Sequence, residues 1–118
     1  MEVFLIIGHL SCGPLMILLM YLFYTFPPQQ INYLYGYRTN RSMQNQEVWR
    51  FANNTSAKYM LNASLLTTIM QTLFILMGYR SADGLLISFA LLLLFLGWGI
   101  WKTEKVLNKY FDKNGNKL

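Results

Sequence analysis

Three long apolar stretches dominate the pattern of hydrophobic and polar positions along the chain. They run over Val3–Phe26, Tyr59–Tyr79 and Gly84–Trp101, and His9 is their only Asp, Glu, Lys, Arg or His. A helix rises about 1.5 Å per residue, so stretches of this length suit a hydrocarbon core of about 30 Å, the third with slight local thinning of the bilayer. The pattern therefore predicts an all-α membrane protein with three transmembrane helices.

A soluble helical bundle is the main alternative, and it would need a polar face on each of these helices. The run Leu91–Leu96 is apolar on all sides, which is typical of a helix in contact with lipid. The first stretch lacks the basic residues and the small-residue cleavage site of a signal peptide, so we expect it to remain in the mature protein. We expect residues 1–118 to form a single membrane domain.

The basic residues are distributed unevenly between the polar segments. Of the 10 lysines and arginines only Arg80 lies in the short second connection, and the others lie in residues 27–58 and 102–118. The positive-inside rule then places the N-terminus outside and the C-terminus in the cytoplasm. The net charge of +5 suits attraction to anionic membrane lipid. Because no nucleic-acid-binding motif accompanies the lysines, we expect no nucleic-acid partner.

Polar side chains inside the spans allow two interpretations. A stripe at helical spacing follows one face of the second span and consists of Ser64, Thr67, Thr68 and Gln71. It predicts either hydrogen bonds between and within helices or a polar cavity. In the first span His9 and Cys12 offer too few ligands for a metal, so we favour packing, and Pro14 can kink the helix.

The long first connection has helical features of its own. Pro27 and Pro28 end the first span, and Ser42 could cap a helix. The apolar positions of that helix repeat at i, i+3, i+4, i+7 and i+11 and are Val48, Phe51, Ala52, Thr55 and Tyr59. This spacing predicts a cytoplasmic interfacial helix between the first and second spans, which turns into the second span near residues 53–58. The third span is expected to continue as an amphipathic helix to about Lys113, either along the inner leaflet or docked against a protein.

The connection also carries a dense polar and aromatic motif. It reads Gly36-Tyr-Arg-Thr-x-Arg-Ser-Met and then Asn45-x-Glu47-x-Trp49-x-Phe51-Ala-Asn53, with Asn32 before it. With the three spans, this motif resembles the SdpI family of bacterial membrane proteins, in its short three-span form. The resemblance implies a place in the bacterial plasma membrane and immunity to, or signalling in response to, a secreted antimicrobial peptide. The implied partners are the toxin peptide or a cytoplasmic regulator.

The resemblance also supplies a set of candidate binding residues: Asn32, Gly36, Arg38, Thr39, Ser42, Glu47, Trp49 and Asn53. Arg38 offers a planar fork for a carboxylate or phosphate, and Glu47 is either its ion-pair partner or an anion that faces a ligand. Trp49 is expected to anchor the interfacial helix and to stack on a guanidinium. An internally satisfied clamp that fixes the connection to the bundle is an equally good interpretation of the same residues.

An enzyme is one alternative function, and a lipid- or ligand-binding accessory of the cell envelope is another. Glu47, as the candidate catalytic residue, could activate water on a membrane-embedded peptide with help from Arg38 and Asn53. The sequence carries no phosphate-binding glycine loop and no serine–histidine–aspartate set. We therefore predict no cofactor and no metal.

Overall fold

The computed structural model describes residues 2–118, which form four helices. These are α1 (Val3–Cys12), α2 (Pro14–Thr25), α3 (Gln46–Leu76) and α4 (Ala82–Tyr110). No strand occurs within residues 2–118, where an isolated bridge joins Phe111 to Lys117. Val3–Thr25, α3 and α4 are each long and apolar enough to cross a membrane. The prediction of an all-α protein with three such helices is confirmed.

The first span is divided at the position of its proline. Pro14 has no N–H to donate to the preceding turn, and Gly13 between the helices has non-helical dihedrals. The Gly13 N–H still donates to the His9 carbonyl at 3.1 Å, so the helical hydrogen bonding of α1 extends up to the break. The predicted kink is therefore present as a division into α1 and α2.

The predicted interfacial helix is not a separate element. Residues 46–76 form one continuous helix, and the expected turn near residues 53–58 is absent. This stretch contains no Gly or Pro, and Asn45 caps its start by accepting a hydrogen bond from the Val48 N–H at 2.9 Å. With 31 residues, α3 is about 46 Å long and exceeds the hydrocarbon core by about 15 Å.

The C-terminal part of α4 also differs from its prediction. It packs against the start of α3, which buries Leu107 completely and leaves Phe111 only 3% exposed. The helix ends at Tyr110, earlier than predicted, and the tail folds back through a turn with Gly115 at φ +81°. Leu107 and Phe111, two residues of the apolar face expected to lie on the inner leaflet, therefore belong to the protein core together with Val48 and Ala52, whereas Tyr110 is 51% exposed.

The polar stripe on the second span is used inside the bundle. Ser64 and Thr67 each donate to a carbonyl of their own helix at 2.8 Å. Gln71 instead crosses to α1, where its Nε2 lies 2.7 Å from the His9 carbonyl and 3.1 Å from His9 Nδ1. His9 also lies 3.3 Å from the Ser88 hydroxyl of α4. The stripe thus forms hydrogen bonds between and within helices, as the first of the two interpretations predicts. Gln71 joins α1 to α3 where the first span is broken.

Candidate functional site

The connection between α2 and α3 packs against the first turns of α3 through a tryptophan. The side chain of Trp49 is fully buried, and its indole Nε1 donates to the Pro28 carbonyl at 3.0 Å. The hydrogen bond reaches from the start of α3 back to a proline three residues beyond the end of α2. Trp49 therefore holds the connection against the bundle, and the predicted stacking on a guanidinium is not observed.

Asn53 fixes the connection one helical turn further along. Its Oδ1 accepts a hydrogen bond from the Tyr37 N–H at 2.6 Å, and its Nδ2 donates to the Trp49 carbonyl at 2.9 Å. Gly36 lies beside this contact with φ +118°, a backbone conformation that side chains other than glycine rarely adopt. A Cβ atom at Gly36 would also lie only 2.7 Å from both Asn53 Oδ1 and Pro28 Cγ.

Two further candidate residues close a turn that precedes α3. Ser42 Oγ accepts from the Thr39 N–H at 2.8 Å and donates to the Tyr37 carbonyl at 2.8 Å, while the Ser42 N–H donates to Thr39 Oγ1 at 3.1 Å. Ser42 is therefore not the cap of α3, since Asn45 has that role. Asn32 acts in the same way in an earlier turn, where its Oδ1 accepts from two backbone N–H groups at 2.9 Å.

Tyr37 and Glu104 form a link that the sequence did not indicate. The Tyr37 hydroxyl donates to Glu104 Oε1 at 2.5 Å and connects the motif to α4. Burial raises the pKa of the Tyr37 phenol far above its usual value, and the hydrogen bond to Glu104 and its negative charge raise it further. The two residues are 67 positions apart, so no local spacing pattern could reveal the pair.

This raised pKa predicts a loss of stability at alkaline pH. Above about pH 10 the unfolded chain releases the Tyr37 proton and the folded protein keeps it, so the stability contributed below pH 10 falls as the pH rises. We expect Tyr37→Phe to flatten this decline when the melting temperature in detergent is followed from pH 8 to pH 11. Tyr35→Phe, which changes an exposed phenol in the same connection, should keep the wild-type slope. Equal slopes in wild type and Tyr37→Phe would contradict the assignment.

Arg41 holds the C-terminal turn against the motif. Its guanidinium contacts Asn108 Oδ1 and donates to the carbonyls of Phe111 at 3.1 Å and Asp112 at 3.2 Å. Two neighbouring amide side chains reach the same turn, at the carbonyls of residues 113 and 115. The folded tail therefore covers the Arg41 guanidinium.

Arg38 and Glu47 are the two charged members of the candidate set, and both side chains are exposed. Within residues 2–118 no ion pair joins them: the Arg38 guanidinium lies 6.0 Å from the centroid of the Tyr33 ring, and Glu47 lines a cavity near the end of α4. Asn53 is buried and bound to backbone. The three residues proposed for catalysis thus lie in three different environments.

Comparison with known proteins agrees with the motif. The sequence model of the SdpI/YfhL protein family matches residues 29–102, which is more than half of the chain. The chain belongs to the SdpI/YfhL family. An SdpI/YfhL relative, the Uncharacterized protein YfhL of Bacillus subtilis (strain 168), is 49% identical over 53 residues, or 45% of this chain and 48% of that protein. The match thus spans about half the length of this curated relative. No solved structure matches the chain.

The region matched by the SdpI/YfhL family contains the whole motif but not every residue that packs against it. Gly36, Trp49 and Asn53 contact one another inside the matched region. Glu104 and the C-terminal turn bound by Arg41 lie beyond residue 102. The hydrogen bond between Asn53 and Tyr37 is therefore within the part shared with the family, whereas Pro28, which accepts from Trp49, and the link to the end of α4 are outside it.

The separation of Arg38 from Glu47 leads to a prediction for a double-mutant cycle. Side chains without a shared partner contribute independently to stability, so Arg38→Ala and Glu47→Ala should have additive effects on the free energy of unfolding, to within about 0.5 kcal/mol. The measurement is unfolding of both single variants and the double variant in detergent. Because both side chains are exposed, each single effect should also be small. A coupling energy above about 1 kcal/mol would mean that the two charges pair.

Proposed function

We propose that this SdpI/YfhL-family membrane protein provides immunity to, or signals in response to, a secreted antimicrobial peptide, and that it binds the peptide or a cytoplasmic partner beside the motif. The supporting observation is a cleft of about 450 Å³ between the start of α3 and the end of α4. Its lining residues are Glu47, Arg50, Phe51, Asn54, Tyr110, Phe111 and Lys117. We call this cavity the Glu47 cleft.

The chemistry of the Glu47 cleft suits a peptide that has both apolar and charged groups. Its floor is aromatic, since the Phe51 ring centroid lies 5.2 Å from that of Tyr110 and 5.4 Å from that of Phe111. Its rim carries one carboxylate and two basic side chains. Aromatic floors provide contact area, and charges of both signs at the rim select the register of the bound peptide.

The internally bonded motif residues support this site by making it rigid. Binding sites need residues whose positions are fixed by neighbouring packing and hydrogen bonds. Trp49 and Asn53 supply such bonds directly behind Glu47 on α3, and both are fully buried. In this proposal the buried motif residues are the scaffold, and Glu47 is the residue that contacts the partner.

The proposed orientation has the N-terminus outside and the C-terminus in the cytoplasm of a bacterium. It rests on the basic residues, of which only Arg80 lies outside the two segments assigned to the cytoplasm. The Glu47 cleft then opens to the cytoplasm. A secreted peptide reaches it after inserting into the membrane, whereas a regulator reaches it directly.

The decisive experiment is a protection assay in a sensitive strain that expresses the chain. We expect Glu47→Gln to reduce protection by about tenfold or more while the abundance of inserted protein is unchanged, because a charge-assisted contact contributes about 1.5–3 kcal/mol. Asp83→Asn is the matched control, since it removes one exposed carboxylate at the opposite end of the bundle. Wild-type protection by Glu47→Gln at wild-type abundance would refute binding at the cleft.

A further inference from the structure

A second cavity lies between the three spans and the connection that carries the motif. It encloses about 380 Å³ and is lined by all three spans: Met20 and Phe23 of α2, Met60 of α3, and Leu96 and Ile100 of α4. None of the side chains that line it is charged. A cavity at this depth is in contact with the hydrocarbon region of the bilayer. Its occupant is therefore apolar where it contacts the spans.

The motif closes the cytoplasmic end of this cavity. Gly36 and Tyr37 line it, so the backbone held by Asn53 forms part of its wall. The connection just before them is unusually apolar at its surface, because Tyr33 is 84% and Leu34 90% exposed. In a membrane protein such side chains insert into the interface between headgroups and acyl chains. The opening of the cavity is therefore at the level where lipid headgroups meet their chains.

A cation comes next in the sequence after the residues that close this cavity. Arg38 follows Tyr37 directly, is exposed, and has no carboxylate partner in the part of the chain that the structure describes. Its guanidinium lies over the Tyr33 ring, which is the side of the connection that carries the exposed apolar residues. An arginine at headgroup level attracts anionic lipid and binds phosphate oxygens in a bidentate manner. The geometry thus combines an apolar chain site with an adjacent anion site.

We propose that this cavity binds one acyl chain of an anionic phospholipid of the surrounding bilayer, and that Arg38 contacts the phosphate of the same lipid. The lipid fills the space between the three spans and fastens the connection at the membrane surface. This site is separate from the Glu47 cleft and does not depend on the function proposed for it.

The proposal can be tested by photocrosslinking the full chain in nanodiscs. The probes are phosphatidylglycerol and phosphatidylcholine that carry a diazirine in one acyl chain, and mass spectrometry identifies the labelled residues. We expect phosphatidylglycerol to label the residues that line the cavity about fivefold more than phosphatidylcholine, which corresponds to about 1 kcal/mol for one arginine at the surface. Arg38→Gln should remove this preference, and Lys113→Gln, which loses the same charge from the exposed tail, should retain it.

A second pair of variants tests the acyl-chain site itself. Ile100→Trp adds volume at the rim of the cavity and should reduce labelling inside it, whereas Leu94→Trp changes a lipid-facing residue that does not line it and should not. Both side chains are exposed, so neither variant threatens the fold. Labelling spread evenly over lipid-facing residues and unchanged by Ile100→Trp would overturn the site. Equal cavity labelling by phosphatidylglycerol and phosphatidylcholine would overturn the assignment to an anionic lipid.

Discussion

Replacing Gly36 with alanine should lower the free energy of unfolding by about 2–5 kcal/mol. Two causes add up at this position. The backbone has φ +118°, where a Cβ atom strains the chain, and that atom would lie 2.7 Å from both Asn53 Oδ1 and Pro28 Cγ. The Asn53 side chain cannot withdraw without giving up its bond to Tyr37. Equilibrium unfolding in mixed detergent micelles measures the effect, and loss of the protein from membranes should accompany it.

Substitutions at two other glycines distinguish the backbone strain from the steric contact of the Cβ atom. Gly78 has φ +107° with open space around its Cβ position, so Gly78→Ala should cost only the backbone strain of about 1–2 kcal/mol. Gly97 is helical and also faces open space, so Gly97→Ala should be neutral or stabilising by up to about 1 kcal/mol. A Gly36→Ala variant no less stable than Gly78→Ala would show that the connection does not pack against Asn53 and Pro28 as described.

Replacing Asn53 with alanine should lower the free energy of unfolding by about 2–4 kcal/mol. The substitution leaves the buried Tyr37 N–H without its acceptor and removes the donor to the Trp49 carbonyl. It also leaves a void in a fully buried position. The measurement is the same unfolding titration, together with the amount of protein recovered from membranes.

The next residue provides the control for Asn53. Asn54 has the same side chain on the same helix but is exposed, so Asn54→Ala should change the free energy of unfolding by less than about 0.5 kcal/mol. Asn53→Asp adds a second test, because it retains the oxygen that accepts from Tyr37 but buries a charge without a cation beside it. We expect it to be unstable as well. Equal stability of the two alanine variants would refute the role given to Asn53.

The spans could be predicted from sequence because hydropathy is a local property. The apolar stretches correspond to the helices long enough to cross a membrane, and Pro14 marks the break in the first. The polar beginning of α3 was instead assigned to a separate interfacial helix. It continues the span because it packs against the end of α4, where Leu107 and Phe111 are buried. Because that contact joins residues that are far apart in the sequence, the spacing of apolar residues near residue 53 does not reveal it.

The candidate site could be predicted only in part, and for a similar reason. Residue type alone is compatible with the close backbone approach at Gly36 and with the backbone hydrogen bonds of Asn53. The sequence did not indicate the bonds from Tyr37 to Glu104 or from Arg41 to the C-terminal turn, whose partners are 67 to 71 positions away. It left open whether the candidate residues bind a partner or form an internal clamp, and Ser42, Trp49 and Asn53 are bound internally.

The length of α3 and α4 beyond the bilayer has a consequence for how the protein assembles. Between helices in lipid, apolar contact gives no hydrophobic driving force, because lipid tails are as apolar as the side chains. The three largest fully buried side chains are Trp49, Leu107 and Val48, and all lie at the ends of α3 and α4 that extend past the spans. Transfer of apolar side chains into lipid therefore drives the insertion of the three helices. Burial of apolar side chains away from water then drives the extended ends of α3 and α4 to pack together.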